Sequence, residues 1–497
     1  MLISSDRLLA GVLFAALCAP GALAQQGSSQ PQQPEQSPQT NPNQNQNPDQ
    51  SSAPIPAYHS PLAGGAAQDQ NSDQGTEMSP DTTSPAGGVG LTLGSPETSR
   101  SYWQPSVSLV QTLDYNAYGE SGWYGYTSVL GGVNVHKISG DSDLTIGYLG
   151  GGSFSDNGKF GNTVIQDMNF AEKIKARRFV VTLVDTLQYL PQSAFGYGGI
   201  GGIGIGGVGV PSGGALALAP GLSPEGTILT NFNQQLDNSS VGEVDINLTP
   251  RTSMSVLGGY SLMRFFNNQL LDFNDWFAQG GFNHQFTRDD TFSAFYRHSE
   301  FSYSALRQKI RDNVVQLEYT RRLTGRLAFQ IGAGPEYTLF ETPILTGAGG
   351  STSSTETTWS LATSLTYQVK RGTLGASYFH GVNGGSGVLS GAIGDTANGY
   401  ISRQLTRTTN FGLNAGYARN RALSIPGFAI FNENFNYGFI GANLNRPFGR
   451  SITAFVSYQA QIQNASVGYC IGTSCGGTFL GHFISVGFTW QTRPLLF

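Results

Sequence analysis

Between Ser451 and Gln463 the chain changes character at almost every residue. Ile452, Ala454, Val456, Tyr458, Ala460 and Ile462 share one parity. Ser451, Thr453, Ser457, Gln459, Gln461 and Gln463 share the other, with Phe455 as the single apolar residue among them. Successive side chains of an extended strand point to opposite faces, so a period of two makes one face oily and the other wet. Such a strand needs an apolar medium on one side and a polar one on the other. The same unit recurs from about Ser101 onward: a run of alternating residues, a tight turn and a return run.

The recurrence predicts an all-β chain forming a single transmembrane antiparallel β-barrel of about 18 strands, with 16 as the alternative. The connections fall into two alternating classes. Short ones, such as Ser139-Gly140-Asp141-Ser142, Thr249-Pro250-Arg251-Thr252 and Phe448-Gly449-Arg450, carry residues that supply turn dihedrals. Long ones, such as 155–162, 191–238, 340–355, 383–395, 421–432 and 465–478, lie between them. In barrels short turns face the periplasm and long loops face outside. Both ends of the chain then lie on the periplasmic side, and the strand number is even. No segment is a helical span, because Gly, Gln, Asn or Thr breaks every long apolar run.

The first residues predict export. Arg7 precedes an apolar run from Leu8 to Ala19, and Ala22-Leu23-Ala24 matches a small-x-small cleavage pattern. Residues 1–24 read as a signal peptide, with an apolar run too short to span a membrane as a helix. Leu17 stands where lipid attachment at Cys18 would want a small residue. Residues 25–98 are Gln, Pro, Asn, Ser and Asp with few large apolar side chains, and read as a disordered periplasmic segment. Residues 99–497 form the barrel, with 191–238 as a long extracellular loop.

The formal charge of −5 offers no basic surface for nucleic acid. Once Cys18 leaves with the signal peptide, Cys470 and Cys475 remain, and an oxidising compartment predicts a small disulfide between them. Two thiols without a nearby histidine make a poor zinc site, so no metal is expected. His59, His136, His284, His298, His380 and His482 are scattered, and no nucleophile elbow, zincin helix or phosphate loop occurs. Gly202-x-Gly204-x-x-Gly207 meets a dinucleotide pattern through glycine density alone, without the strand and helix that pattern requires. The chain therefore reads as a non-enzyme without a cofactor.

The wet faces predict what lines the interior. Gln316 and Glu318 oppose Val315, Leu317 and Tyr319. Gln330 and Glu336 oppose Leu327, Phe329 and Ile331. Ser364, Gln368 and Lys370 oppose Trp359, Leu361 and Leu365, and Gln459 and Gln461 complete the set. This lining is mostly hydroxyl and amide with scattered charge of both signs. It suits small polar solutes better than a strong ion filter, in a barrel wide enough for a channel. The alternative is a blocked lumen whose polar groups bond to one another. The Gly/Ile/Val/Ala/Leu stretch within 191–238 is read as an exposed loop or as a constriction folded into the mouth. Trp103, Trp123, Tyr124, Tyr126, Trp276, Trp359, Tyr367, Tyr437 and Trp490 are expected as interfacial aromatics.

The final strand carries Ile484, Val486, Phe488 and Trp490 at alternate positions, and the sequence closes on Phe497. This resembles the aromatic C-terminal signal of bacterial outer-membrane barrels, although Pro494 interrupts the ladder. Residues 100–497 resemble porin-like proteins of that kind. The segment Gln166–Gly196, ending Tyr189-Leu190-Pro191-Gln192-Ser193-Ala194-Phe195-Gly196, is similar to uncharacterised exported barrels. The resemblance implies an outer-membrane location, contact with outer-membrane lipid, handling by the barrel-assembly machinery and room for a homo-oligomer. It implies either a diffusion channel for small polar solutes or a barrel-anchored surface or adhesive protein, and it carries over no binding residue.

Overall fold

A computed structural model describes residues 101–115, 122–156, 162–191, 234–266, 270–343, 351–385, 389–423, 434–465, 470–471, 474–475 and 478–496. The expected signal peptide, the 25–98 segment and the centre of the 191–238 loop lie outside them.

The first eleven strands are β1 (Tyr102–Tyr115), β2 (Trp123–Ser139), β3 (Ser142–Ser155), β4 (Thr163–Lys175), β5 (Phe179–Pro191), β6 (Gln234–Thr249), β7 (Thr252–Phe265), β8 (Phe273–Gln285), β9 (Asp290–Tyr303), β10 (Gln308–Thr324) and β11 (Leu327–Pro343). They are followed by β12 (Ser351–Val369), β13 (Gly372–Asn383), β14 (Ala392–Gln404), β15 (Asn410–Ala422), β16 (Asn434–Phe448), β17 (Ile452–Ala465) and β20 (Thr478–Gln491). Three two-residue pieces complete the set: β18 (Cys470–Ile471), β19 (Ser474–Cys475) and β21 (Leu495–Leu496). The long strands number 18. Each pairs antiparallel with the next, and β1 closes on β20 from Ser106↔Gln491 to Tyr115↔His482. Closure leaves no open edge, so every ladder donor and acceptor is met within the protein, as a bilayer demands.

The short turns and both described ends share one rim. Gly140 and Gly449 take positive φ (58° and 73°) where β2 meets β3 and β16 meets β17, a conformation that glycine adopts without a β-carbon clash. After β20 ends at Gln491 the ladder is interrupted over 492–494, where Pro494 has no N–H to donate. It resumes as β21, pairing Leu495 and Leu496 with Trp103 and Tyr102.

The pleat then sorts side chains. On β17 the apolar set is exposed and the polar set buried, with Val456 at 49% and Ser457 at 1%. The same inversion of a water-soluble protein runs along β1, where Val107 and Leu109 face out while Ser106 and Ser108 face in. All five tryptophans face outward and are exposed. Tyr124, Tyr126 and Tyr437 have the opposite parity and turn inward, so they leave the interfacial set expected from sequence. Position near a strand end did not decide their side; odd or even register did.

Candidate functional site

The inner wall is built by residues of inward parity, and it divides by charge. Its buried acids are Asp114, Asp167, Asp237, Asp275, Asp312, Glu318 and Glu336, which lie on β1, β4, β6, β8, β10 and β11. Arg297 on β9 is the one buried basic side chain among the described residues. From β13 to β17 the buried polar wall is amide and hydroxyl instead, with Asn383, Asn420, Asn445, Gln459 and Gln461. The scattered charge of both signs expected from sequence is thus an acidic arc facing a neutral one.

The nine positions singled out from sequence are placed as follows. Gln316, Glu318, Glu336, Gln459 and Gln461 are buried on the inner face. Gln330 accepts a hydrogen bond from Ser364 Oγ (3.3 Å), and Gln368 accepts one from Thr373 Oγ1 (2.8 Å). Tyr437 donates its hydroxyl to Gln461 Oε1 (3.1 Å). Lys370 differs: it sits exposed in the turn after β12, because Val369↔Gly372 is the last pair of that hairpin. The positive charge that made the lining look mixed therefore stands at the rim.

Four inward groups converge between β8 and β13. Arg297 Nη2 stands 3.9 Å from Asp312 Oδ2. Thr338 donates to Asp312 Oδ1 (2.9 Å), and Glu336 Oε1 accepts the backbone N–H of Val382 (3.1 Å). Both carboxylate oxygens of Asp275, Glu336 Oε2 and Arg297 Nε are buried without a hydrogen-bond partner. Asp275, Asp312 and Arg297 were not singled out from sequence. Their signal was parity carried along each strand, since Asp275 shares it with Phe273 and Phe277, and Asp312 with Val314 and Gln316.

Directly outside this layer the mouth is apolar. Met263, Phe265, Phe273, Phe301, Ile310 and Phe340 form one buried cluster with Leu389, Leu423 and Phe435. Strands β7 and β16 lie far apart around the wall, and the connection from β13 to β14 joins them. Tyr303 donates to the carbonyl of Gly384 (2.7 Å), and Gly385 N–H donates to Asn383 Oδ1 (2.9 Å). Gly385 and Gly391 take positive φ (74° and 79°). A β-carbon on Gly391 would stand 2.5 Å from Ile310 Cδ1 and 2.8 Å from Leu423 Cδ1. The connection therefore reaches β8, β9 and β10 across the lumen. The Gly/Ile/Val/Ala/Leu stretch within 191–238, read from sequence as an exposed loop or a constriction, lies outside the described residues.

Below the mouth the neutral arc is wetter. Tyr400 faces inward over Gly375 and is 43% exposed, with Asn398 and Asn414 of the same parity half-buried beside it.

The outer face completes the site's setting. Val107, Leu109, Leu317, Val456 and Phe488 stand exposed in one apolar belt, a surface that only acyl chains satisfy. Charged outward residues such as Lys309, Arg311 and Arg321 lie toward the rims. Asp185 breaks the belt between Leu183 and Leu187, and accepts hydrogen bonds from Ser240 and Asn238. A closed ladder, a polar interior and an apolar exterior belong to one setting. The chain is a closed transmembrane β-barrel.

No family model matches the chain, and no curated protein matches it. Among solved structures it is similar to OccK2 (OpdF) of Pseudomonas aeruginosa in complex with glucuronate, at 10% identity and a TM-score of 0.38, over 79% of this chain and 98% of that one. OpdK of the same organism with vanillate is 8% identical over 78% and 99%, also at 0.38. OccAB3 of Acinetobacter baumannii is 11% identical over 79% and 99%, at 0.38. The membrane setting stands on the barrel's own two faces and not on this likeness.

Proposed function

We propose that the barrel is a channel for passive or weakly selective diffusion of small polar solutes. The observation that carries this is the inner wall itself: closed, polar, and wet where Tyr400 stands half-exposed below the mouth. Gln316, Glu318, Gln330, Glu336, Ser364, Gln368, Gln459 and Gln461 line the path, and Lys370 stands at its periplasmic rim. The connection after β13 narrows the outer opening. Hydroxyl and amide groups exchange hydrogen bonds with a passing solute at little cost, which favours movement over capture.

The test is conductance of refolded protein in a planar bilayer. Stable stepwise currents are expected. Replacing Leu389 by Ser, which weakens the apolar cluster at the mouth, should enlarge the step. A silent barrel with correct heat-modifiable mobility on gels would remove the channel reading. The apolar cluster across the mouth favours the second reading, a barrel-anchored surface or adhesive protein with a blocked lumen, and silence in both variants is its signature.

A further inference from the structure

We infer that the lumen selects for cationic solutes, drawn along the acidic arc of β1, β4, β6, β8, β10 and β11. The inference rests on the channel reading and names its substrate class. Seven buried inward carboxylates face one buried guanidinium among the described residues. Glu243 and Asp245 extend the arc at half-buried inward positions on β6, with Lys173 as the nearby inward base on β4. Arg297 can offset one carboxylate, and it already faces Asp312 at 3.9 Å.

Among the described residues, Asp114, Asp167, Asp237 and Glu318 have no buried basic side chain beside them. Asp114 has both oxygens buried without a hydrogen-bond partner, as does Asp275, and Glu336 Oε2 is likewise unmet. Carboxyl groups of one sign, ionised by the approach of a cation, lower its energy in the lumen and leave an anion without a counter-charge. Carboxylates set around a pore wall are also the arrangement by which cation channels discriminate. The amide arc from β13 to β17 adds hydrogen-bonding groups without a buried charge, so no buried base among its described residues offsets the acids across the lumen. The layer of Asp275, Asp312 and Glu336 lies directly beneath Phe273, Ile310 and Phe340, which places the most acidic stretch at the narrowed mouth.

The test is the zero-current potential of the refolded full chain across a planar bilayer with a KCl gradient. A cation-over-anion permeability ratio above unity is expected. The triple variant Asp167→Asn, Glu318→Gln and Asp237→Asn keeps side-chain shape and avoids the Arg297 cluster; its ratio should fall toward unity. A wild-type ratio at or below unity overturns the inference and leaves the channel reading intact, as does a triple variant that is folded by heat-modifiable mobility yet has an unchanged ratio. If the protein conducts nothing, the channel reading falls by itself. The charge inference is then decided by equilibrium dialysis of spermidine against the detergent-refolded barrel. Binding weakened in the triple variant supports it, and no binding, or binding unchanged in the triple variant, overturns it.

Discussion

The ring of Phe455 on β17 occupies the space that a side chain on Gly487 of β20 would need. The two residues are directly opposed in the ladder, and both face inward. Phe455 stands among Thr453, Ser457, Gln459, Gln461 and Gln463 on the wet face of its strand, and the facing glycine is what admits it. The device recurs at Phe277 over Gly259, Tyr400 over Gly375 and Phe439 over Gly416, each a directly opposed pair.

Substituting Gly487→Ala should therefore destabilise the barrel by about 1–3 kcal/mol, the usual cost of overpacking. The added carbon would also press on the carbonyl of Leu109, 2.6 Å away. Urea titration of the refolded protein would show it. Adding Phe455→Ala to that variant should recover part of the loss, because the two sites are coupled. Strictly additive effects would contradict the pairing.

The apolar belt predicts a dependence on depth. Leu317 is 53% exposed on the outer face of β10, several residues from the short turn into β11, whereas Leu323 lies next to it. Leu317→Arg should cost about 2–4 kcal/mol and Leu323→Arg about 0–1 kcal/mol, as for a cation at the bilayer midplane and at its interface. Equal losses at the two positions, measured by unfolding in lipid vesicles, would mean that Leu317 does not face acyl chains.

The turn before β9 should contribute an acid-labile increment of stability. Thr287 Oγ1 donates to Asp290 Oδ2 (2.6 Å), the Tyr319 hydroxyl donates to Oδ1 (2.6 Å), and Arg321 stands 3.6 Å away. Chiefly through the Thr287 bond, then that of Tyr319, the Asp290 carboxyl is held below its usual range. A carboxyl depressed in the folded state stabilises above its unfolded pKa of about 3.9 and loses that stabilisation as pH falls through the folded value. Asp290→Asn should lessen the decline in urea midpoint on acidification below about pH 4. An acid slope equal to wild type would refute the assignment.

Backbone pairing sets Cys470 opposite Cys475 in the ladder of β18 and β19. A disulfide between them is the expected state in an oxidising compartment. Intact-mass measurement of exported protein should find about two hydrogens fewer than the reduced chain, by the chemistry of S–S formation. Two alkylatable thiols would refute it.

Much of the fold was legible in the chain because the relevant physics is local. A period of two sorts Ile452 from Thr453 with no knowledge of any partner, and turn residues such as those at Gly140 and Gly449 mark where each strand reverses. From these followed the inverted faces, the 18 strands and the shared rim of the two described ends. Lys370 fell outside the wall because the last residue pair of a hairpin is set by turn closure, which alternation does not report.

What only the tertiary structure decided is which distant groups meet. Arg297 and Asp312 lie on strands joined by one hairpin, but Glu336 reaches Val382, and Tyr303 reaches Gly384, across intervening strands. The acidic arc is likewise a property of the closed wall, since its carboxylates are spread over six strands, with no more than three on any one. Sequence by itself determined that this chain has an oily outside and a wet inside, because pleating depends on neighbours along the strand. Closure of the barrel decided that the wet side is acidic along one arc and narrowed at its mouth, because charge and packing act through space.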